Sequence, residues 1–315
     1  MSAGTWAELT GVSGQTAVLW PGGADTMIVY CNAGTWNPIS KRIEVIAQYH
    51  GWGNMRYVRY DAATNAWSFV NNIGTADGHG YDHYEVNPTN GDIYYRAYGY
   101  GTGQRIWRFQ YGGPSWDNNL STIPIHLQVA TGTCWWTGSM TPAHGGQGIF
   151  LICDGDFNNV AGYDPVGDSW FTSSGPSLSG SGYHTVMAYS PIHNCAVWGG
   201  GSGAPRQAWR VNSDRTITGL TSCPANCSIG IYKGLFSCDP VSGNFLCLSG
   251  GNLFELDPTG SGTWTQLTGS RVPPAVFGSS GYHMIACEIP EHGVTAYIRQ
   301  ATDTGWFYLY KHAEA

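Results

Sequence analysis

Short stretches in which apolar and polar residues alternate recur along the chain: Tyr57-Val-Arg-Tyr60, Ile106-Trp-Arg-Phe109, Ala208-Trp-Arg-Val211 and Leu253-Phe-Glu-Leu256. A period of two with one apolar face predicts β-strands that pack against a neighbouring sheet. Turn sequences follow three such regions, in Asp61-Ala-Ala-Thr-Asn-Ala-Trp67, Asp164-Pro-Val-Gly-Asp-Ser-Trp170 and Asp257-Pro-Thr-Gly-Ser-Gly-Thr-Trp264. Asp, Asn, Pro and Gly each close a tight hairpin by their own backbone chemistry, so a further strand is expected beyond each turn. Trp6, Trp67, Trp116, Trp170 and Trp264 mark that outermost strand, with a copy lacking Trp near Ile217. The markers stand 61, 49, 54, 47 and 47 residues apart. Second strands often end in paired glycine, as at Gly199-Gly200 and Gly250-Gly251.

A second pattern has the same period. His184 in Gly182-Tyr183-His184 stands seven residues before Pro191, His283 in Gly281-Tyr282-His283 seven before Pro290, and Lys233 in Tyr232-Lys233 seven before Pro240. From His184 to Lys233 is 49 residues, and from Lys233 to His283 is 50. A period of about 50 with four short strands per unit is the signature of a kelch-type propeller. Over its whole length the chain resembles the kelch-repeat family, through the paired glycines, the tryptophan and the Asp-Pro turn. The resemblance implies a fold and says little about activity. The expected architecture is all-β, a six-bladed kelch-like β-propeller of four-stranded antiparallel blades forming one domain over 1–315. The blades are placed near 20–70, 79–118, 133–173, 182–219, 231–268 and 281–312, the last completed by 4–10. Gly4–Leu9 reads as a fourth strand without its first three, and the unit from His283 through Phe307–Tyr310 as three strands without a fourth. Joining the two removes the exposed edges that a split blade would leave.

Composition narrows the function. Charged residues are only 11% of the chain, the net charge is −7, and no basic stripe exists, which excludes nucleic acid as a partner. The start, Met1-Ser2-Ala3-Gly4-Thr5-Trp6, lacks the basic and apolar regions of a secretory signal. No apolar run reaches the roughly 18 residues of a membrane helix, so a virion or cytoplasmic location without membrane insertion is expected. Nine cysteines is an odd number, and Cys31, Cys153, Cys195, Cys238, Cys247 and Cys287 sit in strand-like runs as small apolar groups. Cys223 and Cys227 share a Pro-containing loop that suits a pair or a metal only weakly. No nucleophile elbow, phosphate loop or zinc-protease motif is present, and neither a cofactor nor a metal is expected.

Counting back seven from each first-strand turn gives Thr26, Tyr81, Trp135, His184, Lys233 and His283, with Tyr183, Tyr232 and Tyr282 one residue earlier and His79 and His83 beside Tyr81. These residues are expected to form a ring at the channel mouth, where Tyr and Trp offer flat faces to sugar rings. Lys233, with His184 and His283 when protonated, suits carboxylate or sulfate substituents. The structural alternative is that such residues bond backbone groups of neighbouring blades. Asp77 and Asp82 stand near enough to His79 and His83 for a His–carboxylate pair or for local turn bonding.

The leading functional expectation is a glycan-binding propeller, an adhesin or receptor-binding module carried on a virion or tail. Its ligand-binding residues are Tyr81, His83, Trp135, Tyr183, His184, Tyr232, Lys233, Tyr282 and His283. Its partners are a cell-surface or extracellular polysaccharide, anionic where the cations meet it, and other virion or tail proteins. One alternative is a polysaccharide lyase acting on uronic-acid polymers, with Lys233 neutralising the carboxylate and His184 and Tyr282 as base and acid. The other is a kelch-type protein-interaction domain.

Overall fold

The structure, a computed structural model, describes residues 1–22, 26–48, 55–73, 80–96, 104–124, 132–137, 148–154, 159–174, 184–231, 233–278 and 283–314. It contains six four-stranded antiparallel sheets arranged as the blades of a propeller. Blade 1 holds Thr35–Asn37, Arg42–Ala47, Met55–Asp61 and Ala66–Ile73, and blade 2 holds Tyr84–Val86, Ile93–Arg96, Ile106–Phe109 and Trp116–Asp117. Blade 3 is Gly132–Trp136, Ile149–Asp154, Asn159–Asp164 and Ser169–Ser174, and blade 4 is Val186–Ser190, Cys195–Gly199, Ala208–Asn212 and Ile217–Gly219. Blade 5 is Gly234–Cys238, Phe245–Ser249, Asn252–Asp257 and Thr263–Gln266. Blade 6 takes Met284–Ile289, Val294–Gln300 and Gly305–Lys311 from one end of the chain and Thr5–Glu8 from the other.

The repeat is exact at the level of register. Trp67 pairs with Tyr60, Trp116 with Phe109, Trp170 with Tyr163, Ile217 with Val211, Trp264 with Leu256, and Trp6 with Tyr310. Each outer residue thus stands opposite a bulky apolar residue of the third strand, the cross-strand pairing that stabilises a sheet face. The hairpins close as their residues dictate. Asp61 Oδ1 accepts from the N–H groups of Ala63 and Thr64, Asp164 Oδ1 from Val166, and Asp257 Oδ1 from Thr259. Gly250 and Gly251 form a two-residue loop with φ of 57° and 76°, a pair of left-handed positions that glycine adopts without strain.

Aromatic rings carry the contacts between blades. Tyr57 of blade 1 meets Phe109 and Trp116 of blade 2 edge-on at 5.1 and 5.9 Å. Trp136 of blade 3 lies 4.8 Å from Tyr189 of blade 4, and Tyr60 of blade 1 lies 4.8 Å from Phe307 of blade 6. All nine cysteines are buried and unbridged. Cys223 and Cys227 do not pair: the Cys223 thiol donates to the Cys227 carbonyl, and the Cys227 thiol points to Cys247 Sγ at 3.7 Å. No helix of the described residues is long and apolar enough to cross a membrane.

The inner ends of the blades are laced together. Tyr81 N–H donates to Tyr30 O, Ala286 N–H to Asn32 O, and Ile231 N–H to His184 O. Two side chains reach further, past an adjacent blade. The Asn32 amide donates to Phe236 O and accepts from Phe236 N–H, joining blade 1 to blade 5. Asp82 Oδ2 accepts from Met187 N–H of blade 4 and Thr133 N–H of blade 3. Two placements read from the sequence shift. The first strand of blade 1 begins only at Thr35, and that of blade 3 runs Gly132–Trp136, so the seven-residue count falls out of step at both.

Candidate functional site

The first strands line the central channel, and the residues just before them form one of its ends. Tyr81, His184 and His283 occupy matching positions there, and all three have left-handed backbone, with φ of 48°, 68° and 63°. A non-glycine residue in this region is held against its preference, more so for Tyr than for His. Three such positions in register mark a conformation that the fold imposes. Each points its side chain away from the path that an extended strand would give it.

The side chains fall into two groups. Tyr81 lies 5.5 Å from His184 and 5.2 Å from His83, ring centroid to centroid, so rings from blades 2 and 4 meet across the channel. Tyr81, His83 and His184 are buried. Lys233 is exposed beside them, and His283 is half-buried with Nδ1 at 3.2 Å from the buried Thr26 hydroxyl. His184 Nδ1 is 3.1 Å from the exposed Ser202 hydroxyl on the connection between the second and third strands of blade 4. Burial, and after it the charge of Lys233, push the His184 imidazole down to about 4. At neutral pH His184 is therefore uncharged, which corrects the expectation that it adds a positive charge to the ring. Lys233 supplies the cation.

Three further expectations change. Trp135 is not at this end: it lies within the first strand of blade 3, packed 5.1 Å from Tyr94. Its count starts from Pro142, in a first-to-second-strand connection longer than that of blade 4, and so lands inside the strand. His83 is fully buried and takes Arg96 Nη1 at 3.1 Å from its Nε2, which leaves it no surface for a ligand. Among the described residues Asp82 makes no His–carboxylate pair; it serves the backbone of blades 3 and 4 as described above. Tyr183, Tyr232 and Tyr282 lie outside the described residues, as do Asp77 and His79.

The arrangement offers one exposed cation, a buried neutral imidazole, a second half-buried imidazole and the buried Tyr81 ring beneath them. Such a surface can hold a carboxylate or sulfate by Lys233. No three His, Cys, Asp or Glu among the described residues converge to hold a metal ion. Sequence reasoning missed Ser202, Asn32, Glu85 and Glu288. The two glutamates had a visible signal, since each is a lone charge in an inner apolar strand, in Tyr84-Glu-Val86 and Ile285-Ala-Cys-Glu-Ile289.

Comparison with known proteins supports the architecture. No family model matches the chain, and no curated protein matches it. Among solved structures it is similar to an auxiliary nutrient binding protein from Bacteroides ovatus ATCC 8483, at 12% identity and a TM-score of 0.62 over 97% of this chain and 76% of that one. A structural genomics protein of unknown function from Bacteroides thetaiotaomicron VPI-5482 gives 12% identity and a TM-score of 0.55 over the same shares. Virginiamycin B lyase from Staphylococcus aureus gives 10% identity and a TM-score of 0.49 over 90% of this chain and 87% of that one, too low to carry an argument. These likenesses show a shared fold.

Proposed function

We propose that the chain is a kelch-like propeller that binds glycans, an adhesin or receptor-binding module that takes an acidic saccharide at the strand-start end of its channel. The observation that carries the reading is the exposed Lys233 beside the Tyr81–His184 ring pair, whose two residues have left-handed backbone at matching blade positions. Lys233 meets the carboxylate or sulfate, His283 flanks it, and the aromatic pair forms the floor. Tyr183, Tyr232 and Tyr282 adjoin these residues in sequence and belong to the same proposal. One structural neighbour is described as a nutrient-binding protein, a role of the kind proposed here, although at 12% identity the likeness concerns the fold.

A glycan array probed with wild type, Lys233→Ala and His283→Ala tests this. The expected result is selective binding of acidic glycans that Lys233→Ala weakens by about 1–3 kcal/mol, the range for a charged hydrogen bond, with a flatter salt dependence. Binding that Lys233→Ala leaves unchanged refutes the reading. The neutral state of His184 supports a second reading, β-elimination on a uronic-acid polymer with His184 as the base, Lys233 neutralising the carboxylate and Tyr282 as the acid. That reading requires a rise in unsaturated-uronate absorbance which His184→Ala abolishes; without turnover on any uronate polymer it fails.

A further inference from the structure

Blades 3 and 4, and blades 1 and 6, meet through aromatic rings, whereas blade 1 turns a largely polar face to blade 2. Its register sets Asn37, Arg42 and Asp61 in one row across the strands and Thr35, Glu44 and Arg59 in the next, all on one face. That face is the one against blade 2, because Thr35 Oγ1 donates to Glu85 Oε2 and Asn37 Nδ2 to Gly91 O. Between it and the third-to-fourth-strand turn of blade 2 opens a cavity of about 360 Å³, at the end of the blades opposite Lys233.

Two arginines line this cavity, and they differ. Arg42 is neutralised on the wall, its Nε donating to Asp61 Oδ2 at 2.8 Å. Arg59 stands opposite Glu44 in the register, yet among the described residues it makes no ion pair and no hydrogen bond; its guanidinium lies over the Tyr57 ring, 5.5 Å from the centroid. Glu44 also lines the cavity but is only 2% exposed, and its oxygens accept from Tyr57 Oη at 2.8 Å and Ser40 Oγ at 3.3 Å. Burial raises the Glu44 carboxyl, and Arg59 is the strongest influence drawing it back down. The outer strand of blade 1 supplies a third group. A β-bulge opposite Tyr57 and Val58 leaves Val70 unpaired, so Val70 and Asn71, neighbours that a regular strand would point to opposite faces, both reach the cavity wall. Asn71 Oδ1 accepts from the Trp116 indole at 3.3 Å, which orients the amide and leaves its Nδ2 without an acceptor among the described residues. On the blade 2 side, Tyr111 N–H donates to Asp92 Oδ1 at 2.8 Å and Gly113 N–H to Gln110 O at 2.8 Å. These bonds fix a tight turn that holds the Tyr111 side chain, 44% exposed, at the rim.

We propose that this cleft between blades 1 and 2 binds a neutral sugar ring, with one hydroxyl accepting from Arg59 and donating to Glu44, a second accepting from Asn71 Nδ2, and the ring lying against Tyr111. The site is separate from the channel end and does not rest on the Lys233 reading. Charge selects the class. Arg42 and Asp61 offset each other, and so do Arg59 and Glu44, so an ion of either sign that one group attracts is repelled by its neighbour. A hydroxyl meets no such conflict, since it is donor and acceptor at once and can stand between a guanidinium and a carboxylate that do not touch. The exposed Tyr111 ring gives a flat apolar face for the C–H groups of a sugar. The volume, at the low end of the roughly 300–1,000 Å³ of ligand pockets, suits one or two rings rather than a chain.

NMR titration of the full chain tests this, with the methyl glycosides of glucose, galactose, mannose and N-acetylglucosamine as probes and with propionate and propylammonium as charged comparisons. The readout is the Trp116 indole N–H, which bonds Asn71 on the cavity wall and is assigned by its loss in Trp116→Phe. The expected result is a saturable shift of that resonance with at least one glycoside, at an affinity that added salt leaves unchanged because the ligand is uncharged. Arg59→Gln should weaken that binding about tenfold or more, through loss of a charged hydrogen bond, and Tyr111→Ala about two- to tenfold, through loss of the ring face. Neither side chain makes a hydrogen bond among the described residues, so both variants should fold, which their melting temperatures check. Lack of a saturable shift with all four glycosides, undiminished affinity in both variants, or tighter binding of propionate or propylammonium overturns the proposal. Each of these outcomes leaves the Lys233 reading, which concerns acidic glycans, standing.

Discussion

Replacing Trp6 by alanine tests the closure of the ring at its one chain break. Trp6 is half-buried in the strand that completes blade 6, with ring centroids at 4.6 Å from Tyr310, 5.1 Å from Tyr297 and 5.9 Å from Phe277. Its indole N–H donates to Arg271 O at 3.1 Å. Truncating a fully buried aromatic to alanine costs about 3–5 kcal/mol; partial exposure lowers this, and the lost indole hydrogen bond adds about 1. The expected loss is therefore about 2–4 kcal/mol. With an unfolding entropy near 2.1 cal/mol/K per residue, a chain of this length loses about 3–6 °C in melting temperature. Circular dichroism melts and urea titrations on Trp6→Ala read this directly. Deleting residues 1–10 should cost more, because the backbone bonds from Gly4 N–H to Lys311 O and from Leu9 N–H to Phe307 O go with the strand. A peptide of residues 1–13 added in trans should then raise the melting temperature of the truncated protein in a concentration-dependent way. A deletion that melts where wild type does, or a Trp6→Ala loss under about 1 kcal/mol, would show that this strand does not close the ring.

The His184 ring should titrate near 4 by NMR, and Lys233→Ala should raise that midpoint only part of the way, because burial is the larger cause. Between about pH 6.5 and 4 the unfolded chain binds a proton that folded His184 refuses, so this residue's contribution to stability falls as pH drops through that window, by about 3 kcal/mol in all. Raised carboxyls such as Asp82 and Glu85 act in the opposite sense, but they are common to wild type and His184→Gln. The difference between the two proteins' urea midpoints across the window therefore isolates His184, and an unchanged difference refutes its burial as a neutral group. Thiol titration of the native protein should find little reaction, whereas denaturation without reductant should release at least seven of the nine thiols. Four disulfides found instead would contradict the buried, unbridged placement.

The blades were legible because their physics is local. Alternation, an Asx-type turn and a tryptophan lie within one hairpin, so Asp61 through Trp67 announces a third strand, its turn and the outer strand together. The partner of the first strand was legible for a related reason, since a lone fourth strand at one end and a blade short of one at the other complete each other. The candidate site was legible only where the chain keeps the same loop length. His184, Lys233 and His283 each stand seven residues before the proline of a short first-to-second-strand turn, whereas the connection between Trp136 and Ile149 is longer, so a count back from Pro142 falls on Trp135. Protonation was not legible at all. Whether His184 is charged depends on burial by Tyr81 and its neighbours, contacts made between blades about 100 residues apart. Nor could spacing reveal Asn32, whose partner Phe236 lies 204 residues away.

The two side chains that reach past an adjacent blade also fix how many blades this sequence can have. Propellers are thought of as beads on a ring, to which a duplicated unit could be added at small cost, because each bead touches only its neighbours. Asn32 and Asp82 break that rule, since their amide and carboxyl are just long enough to join blade 1 to blade 5 and blade 2 to blade 4 around a ring of six. A seventh unit would widen the channel and pull both groups off their partners. Two buried polar side chains and three backbone groups would then be left unsatisfied, at about 1–3 kcal/mol each. The channel residues thus act as a gauge of circumference, so this lineage could gain or lose a blade only after first changing these two positions.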